Sequence, residues 1–113
     1  MTYLDMEHSV SLFREIRSEI ETVKRHFAII QTLLKEQPVG IIKISHETGM
    51  PEHKIRYSLR VLEKEGLIEP SREGAILTPQ FLQEKDHLAE EAKQIADELG
   101  KMYQELKATL TKR

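Results

Sequence analysis

The stretch HETGMPEHKIRYSLRVLEKEGLIEP, His46 to Pro70, decides how this chain is read. A break at "TGMP" is followed by a run in which apolar and charged residues recur at threes and fours. The question is whether the side chains after Pro51 only pack, or also present a face to something outside the protein. Pro51 suits the first position of a helix, where its missing N–H has no partner to lose. Glu52 follows in the first turn, where the helix dipole favours an anion. Ile55, Leu59 and Leu62 are spaced i, i+4, i+7, which predicts the buried stripe of a helix from Glu52 to Glu65. Opposite that stripe project His53, Tyr57, Arg60 and Lys64, with Lys54 and Arg56 on the flanks. Between His53 and Leu62 the only charges are Lys54, Arg56 and Arg60, all positive.

Working outward, Gly66 is placed to end that helix as a C-terminal cap. "LIEPS" then reads as a short strand, "REG" as a turn and "AILT" as a second strand, with Pro70 marking the first as an edge because it cannot donate to a ladder. Upstream, "PVG" reads as a turn or short extended piece and "IIKISHE" as a short helix. Residues 38–79 hold all four prolines and four of the five glycines, so chain punctuation is concentrated there.

Two long periodic segments flank this region. Phe13, Ile16, Ile20, Val23, Phe27, Ile30 and Leu34 alternate steps of three and four, the period of a helix, with neither Gly nor Pro before Pro38. A helix from about His8 to Gln37 would be roughly 45 Å long. After Pro79, Phe81, Leu88, Ile95 and Met102 recur at sevens, and Ala92, Leu99 and Leu106 fill the intervening positions. Gly100 inside this second stripe costs about 1 kcal/mol relative to Ala.

Composition bounds the possibilities. A chain of 113 residues is about one domain. With no cysteine there is no disulfide, thiolate metal site or cysteine nucleophile. No stretch approaches a membrane span, and "MTYLDMEHS" lacks the basic and apolar parts of a signal peptide, so a cytoplasmic protein is expected. The net charge of −2 gives no overall attraction to polyanions. Any such attraction must come from local distribution, and the cations after Pro51 are the one local feature.

The segment ISHETGMPEHKIRYSLRVLEKEGLIEPSREGAILT, Ile44 to Thr78, resembles the winged helix-turn-helix of prokaryotic transcriptional regulators of the MarR/ArsR-like kind. The resemblance rests on Gly49 in the turn, the Ile55, Leu59 and Leu62 spacing, and "LEKEGLIE" leading into the hairpin, and covers roughly residues 24–79. It implies a mainly α (α+β) fold across one domain, 1–113. The parts would be a long N-terminal helix at 8–37, a helix-turn-helix and wing at 38–79, and a C-terminal dimerisation helix at 80–113. It also implies double-stranded DNA as partner, with Glu52, His53, Lys54, Arg56, Tyr57 and Arg60 on the recognition helix and Arg72 at the wing tip. Arg56 and Arg60 are the candidates for guanine edges or phosphates, and Lys54 for phosphate. Tyr57 would either meet a phosphate or thymine methyl, or lie flat on its neighbours. The wing turn carries one cation beside Glu73, so its contribution is expected to be modest.

The apolar stripes extend beyond what a lobe of this size needs, and long exposed stripes mark an interface. A homodimer is expected, through Phe13, Ile16 and Ile20 on the first helix and Leu88, Ile95, Leu99, Met102 and Leu106 on the last. An unidentified small-molecule effector between the dimer helices and the DNA-binding lobe would suit such a regulator. His87 beside Asp86, with Glu90 and Glu91 one turn on, looks like half a metal site, but no histidine follows at i+4, and no metal or cofactor is expected. His26 and His46 read as surface or boundary residues, and His8 lies near the chain start. There is neither a phosphate loop nor a nucleophile elbow, so no enzyme activity is expected. The alternative is that the same lobe serves as a protein-interaction module in a larger assembly.

Overall fold

The computed structural model of the protein describes residues 11–112. It is mainly helical with one small antiparallel sheet: after a 3-10 turn at Ser11–Phe13 come α1 (Arg14–Lys35), α2 (Ile41–Thr48), α3 (Glu52–Lys64), β1 (Ile68–Ser71), β2 (Gly74–Leu77) and α4 (Pro79–Thr111). Residues 11–78 form one compact unit and residues 79–112 a second. The expected helix start at His8, and His8 itself, lie outside the described residues.

α1 ends at Lys35, two residues short of Gln37, where the Glu36 N–H closes on the Thr32 carbonyl at 3.0 Å before Pro38 breaks the pattern. Its faces differ. Ile29, Ile30, Thr32 and Leu33 are buried, whereas Phe13, Ile16, Ile20, Val23, Phe27 and Leu34 remain exposed. The stripe expected from periodicity thus mostly stays outside. A neighbouring face, led by Ile29 and Leu33, enters the core.

α2 closes on Gly49, whose φ of 73° lies in the left-handed region and whose N–H donates to the Ser45 carbonyl at 2.9 Å. The turn that follows is tied by the Ser45 hydroxyl, which donates to the Met50 carbonyl at 2.5 Å. Pro51 is the N-cap of α3 rather than its first residue. With ψ of 146° it is extended, and its carbonyl accepts the Lys54 and Ile55 N–H groups at 3.1 Å. The ring fixes φ at −63° without demanding a helical ψ, so the residue can flank the helix as readily as begin it.

At the other end Gly66, φ 80°, donates to the Glu63 carbonyl and Leu67 to that of Leu62, both at 3.0 Å. These are the two bonds of a Schellman cap, and Leu67 is buried beneath it. Ile55, Leu59 and Leu62 are buried as their spacing predicted, joined by Ser58.

β1 and β2 pair antiparallel with Ile68 opposite Leu77 and Ser71 opposite Gly74, leaving Arg72 and Glu73 in the turn. Val39 supplies a single bridge on the other side of β2, exchanging both backbone hydrogen bonds with Ala75 at 2.9 and 3.2 Å. β1 is therefore an edge, which accommodates Pro70. The Gln37 side chain adds an acceptor for the Leu77 N–H at 2.8 Å. Ile29, Leu33, Val39, Ile44, Ile55 and Ile68 form the centre of this core.

α4 runs unbroken through Gly100 for 33 residues, about 50 Å at 1.5 Å per residue. Phe81 is buried, Leu88 and Leu99 are half-buried, and Ile95, Met102, Tyr103, Leu106 and Leu110 are exposed. Among the described residues no helix is long and apolar enough to cross a membrane.

Candidate nucleic-acid interface

With Ile55, Ser58, Leu59 and Leu62 turned inward, helical geometry directs His53, Arg60 and Lys64 to the opposite side, and all three are exposed. Glu52, Lys54, Arg56 and Arg72 are exposed as well. The candidate contact residues on α3 therefore share one solvent-facing helix surface. Its charge is uneven along the axis, because three cations lie between Glu52 and Glu63 with no carboxylate among them.

The two flanks of that surface have different neighbours. Arg56 Nη2 stands 3.9 Å from Glu52 Oε1, one turn earlier on the same helix. Both line a groove of about 540 Å³ whose other walls are the start of α2, with Ile41 and Ile42, and the hairpin residues Pro70 and Gly74. On the opposite flank, Arg25 of α1 places its guanidinium carbon 5.9 Å from the centroid of the Tyr57 ring. Tyr57 is 48% exposed, so it rests against a neighbour while keeping its edge accessible. At the hairpin tip Arg72 is accompanied by Glu73 and by Glu69 on β1, and all three are exposed.

Beneath the face lies a cluster the sequence did not announce. Ser58 is 0% exposed, and its Oγ accepts the Arg25 Nε–H at 2.7 Å while standing 3.0 Å from His26 Nδ1. The arginine can only donate, so Ser58 Oγ accepts from it; the serine proton can in turn be donated to His26 Nδ1 in the tautomer that leaves that nitrogen unprotonated. Burial, and secondly the Arg25 charge, hold the His26 pKa below its usual 6.5. Two adjacent residues of α1 thus grip the inner side of α3. The available signal was Ser58 itself, a small polar residue at i+3 from Ile55 on an otherwise aliphatic stripe.

This arrangement has a pH consequence. A histidine whose folded pKa lies below its unfolded value binds fewer protons when folded in the interval between them, so its contribution is complete above about pH 6.5 and is lost as pH falls through that interval. Urea denaturation of the wild-type protein is expected to show declining stability on acidification from neutral pH, with a shallower decline for His26→Gln. Identical pH slopes for the two proteins would show that His26 is not the titrating group.

Elsewhere, Lys43 reaches both carboxylate oxygens of Glu36 at 2.8 Å, joining α2 to the end of α1, and this hydrogen-bonded pairing raises the lysine pKa. Asp86, His87, Glu90 and Glu91 lie on exposed turns of α4, where His87 Nε2 is 3.9 Å from Glu91 Oε1 and Lys85 pairs with Asp86 at 3.5 Å. Among the described residues no group of three or more His, Asp or Glu side chains is gathered as a metal would require. No protein-family model matches the chain, and no curated protein matches it.

Proposed function

We propose that residues 24–79 form a winged helix-turn-helix and that the protein binds double-stranded DNA as a homodimeric transcriptional regulator, with α3 in the major groove. The observation that carries this reading is the two-sided character of α3. Its aliphatic stripe and Ser58 are buried, and Lys54, Arg56 and Arg60 project together with His53 from the exposed side. An α-helix fits a groove about 12 Å wide, and side chains in its first turns lie nearest the base edges. Arg60, in the third turn, is exposed and free of any ion pair among the described residues, and so is available to a guanine edge or a phosphate. Arg56 must leave or share Glu52 to engage a phosphate. The hairpin contributes little attraction, since Glu69 and Glu73 outweigh Arg72.

The test is a titration of random-sequence duplexes at increasing salt, followed by selection of the bound fraction. Three cations from each of two subunits predict a log–log salt slope of about −5, and selection should enrich a pseudo-palindrome. A slope near zero with no duplex bound at low salt would reject the reading. It would favour the second one, a protein-interaction lobe, for which the specific observation is the largely apolar groove between α2, α3 and the hairpin, bordered by Ile42 at 75% exposure.

A further inference from the structure

Two long apolar faces stand uncovered, and their charged borders are complementary. Along the 3-10 turn and α1, Phe13, Ile16, Ile20, Val23 and Phe27 each remain about two-fifths exposed. One border of that face carries Arg17 and Lys24, seven apart, and the other Leu12, Glu19 and His26. On α4 the face built on Leu88, Ile95, Leu99, Met102 and Leu106 is bordered on one side by Glu84, Glu91, Glu98 and Glu105, one in each heptad. Its other border is uncharged, with Ala89, Ala96, Tyr103 and Leu110. Among the described residues Arg17, Lys24 and Glu98 make no ion pair, and Glu91 faces only His87, at 3.9 Å.

We propose that a second copy of the chain covers these faces by laying its α4 parallel to α1, and reciprocally, so that the glutamate row of one subunit borders the arginine and lysine of the other. This rests on the homodimer in the reading above but not on DNA binding. Parallel helices bring opposite borders of their apolar faces together, whereas antiparallel helices bring like borders together. Two antiparallel α4 helices would set glutamates against glutamates. Two parallel α4 helices would set them beside alanine, tyrosine and leucine with no cation, and either choice leaves the α1 face in water. Two parallel α1 helices gain a Glu19–Lys24 pair but leave α4 bare. An antiparallel α1–α4 pair sets Glu19 and His26 toward the glutamate row and leaves Arg17 and Lys24 facing uncharged residues. Only the parallel α1–α4 pairing satisfies the borders while covering both faces.

Side-chain size fixes the register. With Phe13 over the partner's Ala92, Ile20 meets the partner's Leu99 and Phe27 the partner's Leu106, a large residue over a small one followed by apolar layers. The same alignment brings Arg17 beside the partner's Glu91 and Lys24 beside the partner's Glu98. Sliding one heptad one way seats Phe13 on the partner's Lys85, and the other way seats Val23 on the partner's Thr109.

The natural chain has no cysteine, so single substitutions report pairing directly. Differently tagged Arg17→Cys and Glu91→Cys chains are refolded together and treated with a short bismaleimide, and the cross-linked species are separated by size and tag. The expected product is the mixed dimer, with like-with-like products minor. Predominance of either like-with-like product, or no cross-link in a dimeric sample, overturns the pairing. Independently, Arg17→Glu with Lys24→Glu is expected to raise the dimer dissociation constant on the order of tenfold, with recovery when mixed with Glu91→Lys, Glu98→Lys chains. Absence of that recovery also overturns it. A chain that sediments as a monomer removes both the pairing and the homodimer, whereas mixed cross-linking without duplex binding removes only the DNA reading.

Discussion

Gly74→Ala is expected to destabilise the lobe of residues 11–78 on the order of 3 kcal/mol or more, enough to unfold a marginal domain at physiological temperature. Two effects act together. The backbone at Gly74 has φ of +135°, a region L residues rarely occupy, so any side chain is strained there before contacts are considered. A Cβ would also lie 2.4 Å from the Val39 carbonyl carbon, 2.6 Å from its oxygen and 2.7 Å from the Gly40 nitrogen. These are main-chain atoms held by the Val39–Ala75 bridge, so relief requires breaking that bridge and with it the packing of Val39, which is buried. Gly40→Ala is the control, because a methyl group there would meet nothing within 4 Å and the backbone φ is −89°. It is expected to change stability by no more than about 1 kcal/mol. Urea unfolding followed by far-UV circular dichroism measures both. Equal midpoints for the two variants would mean that Val39 and β2 do not approach as described.

The second large effect concerns the exposed side of α3. Replacing Arg56 and Arg60 together by alanine is expected to lower affinity for the selected duplex by on the order of 100-fold or more, since a good arginine–base contact is worth about 1–3 kcal/mol and each dimer loses two copies of both. The loss divides unevenly. Arg60, unpaired among the described residues, gives up a contact at little cost to the free protein. Arg56 spends part of its strength on Glu52, so its single variant is expected to weaken binding less. Stability is expected to hold within about 0.5 kcal/mol, because both side chains are exposed and neither belongs to the buried stripe. Fluorescence anisotropy with the selected duplex, beside sedimentation of the free protein, separates lost recognition from lost assembly. Wild-type affinity in the double variant would remove α3 from the interface.

Much of the lobe was legible from local chemistry. Gly66 caps α3 and Gly49 lies at the turn before it, Pro70 sits on an edge strand, and the Ile55, Leu59 and Leu62 spacing names the side of α3 that is buried. Such features depend on neighbours within a few residues, which a sequence displays directly. The exposed row from His53 to Lys64 follows, because a helix with one side assigned has the other assigned too.

What escaped the sequence depends on contacts between distant residues. α1 carries two adjacent apolar rows, and periodicity favoured the longer one through Phe13 and Leu34. The folded lobe buries Ile29 and Leu33 because those positions meet α2, α3 and β2. Likewise His26 read as a surface or boundary residue, and Arg25 drew no notice, until Ser58, more than thirty positions away, was brought within hydrogen-bond distance of both. The need for glycine at position 74 arises only because Val39 returns beside β2. Helix period, turn chemistry and the sidedness of α3 were thus set by the order of residues alone. The choice of buried row on α1, the grip on Ser58 and the steric demand at Gly74 came from chain closure, because a residue's burial depends on what arrives opposite it and that partner can lie anywhere along the chain.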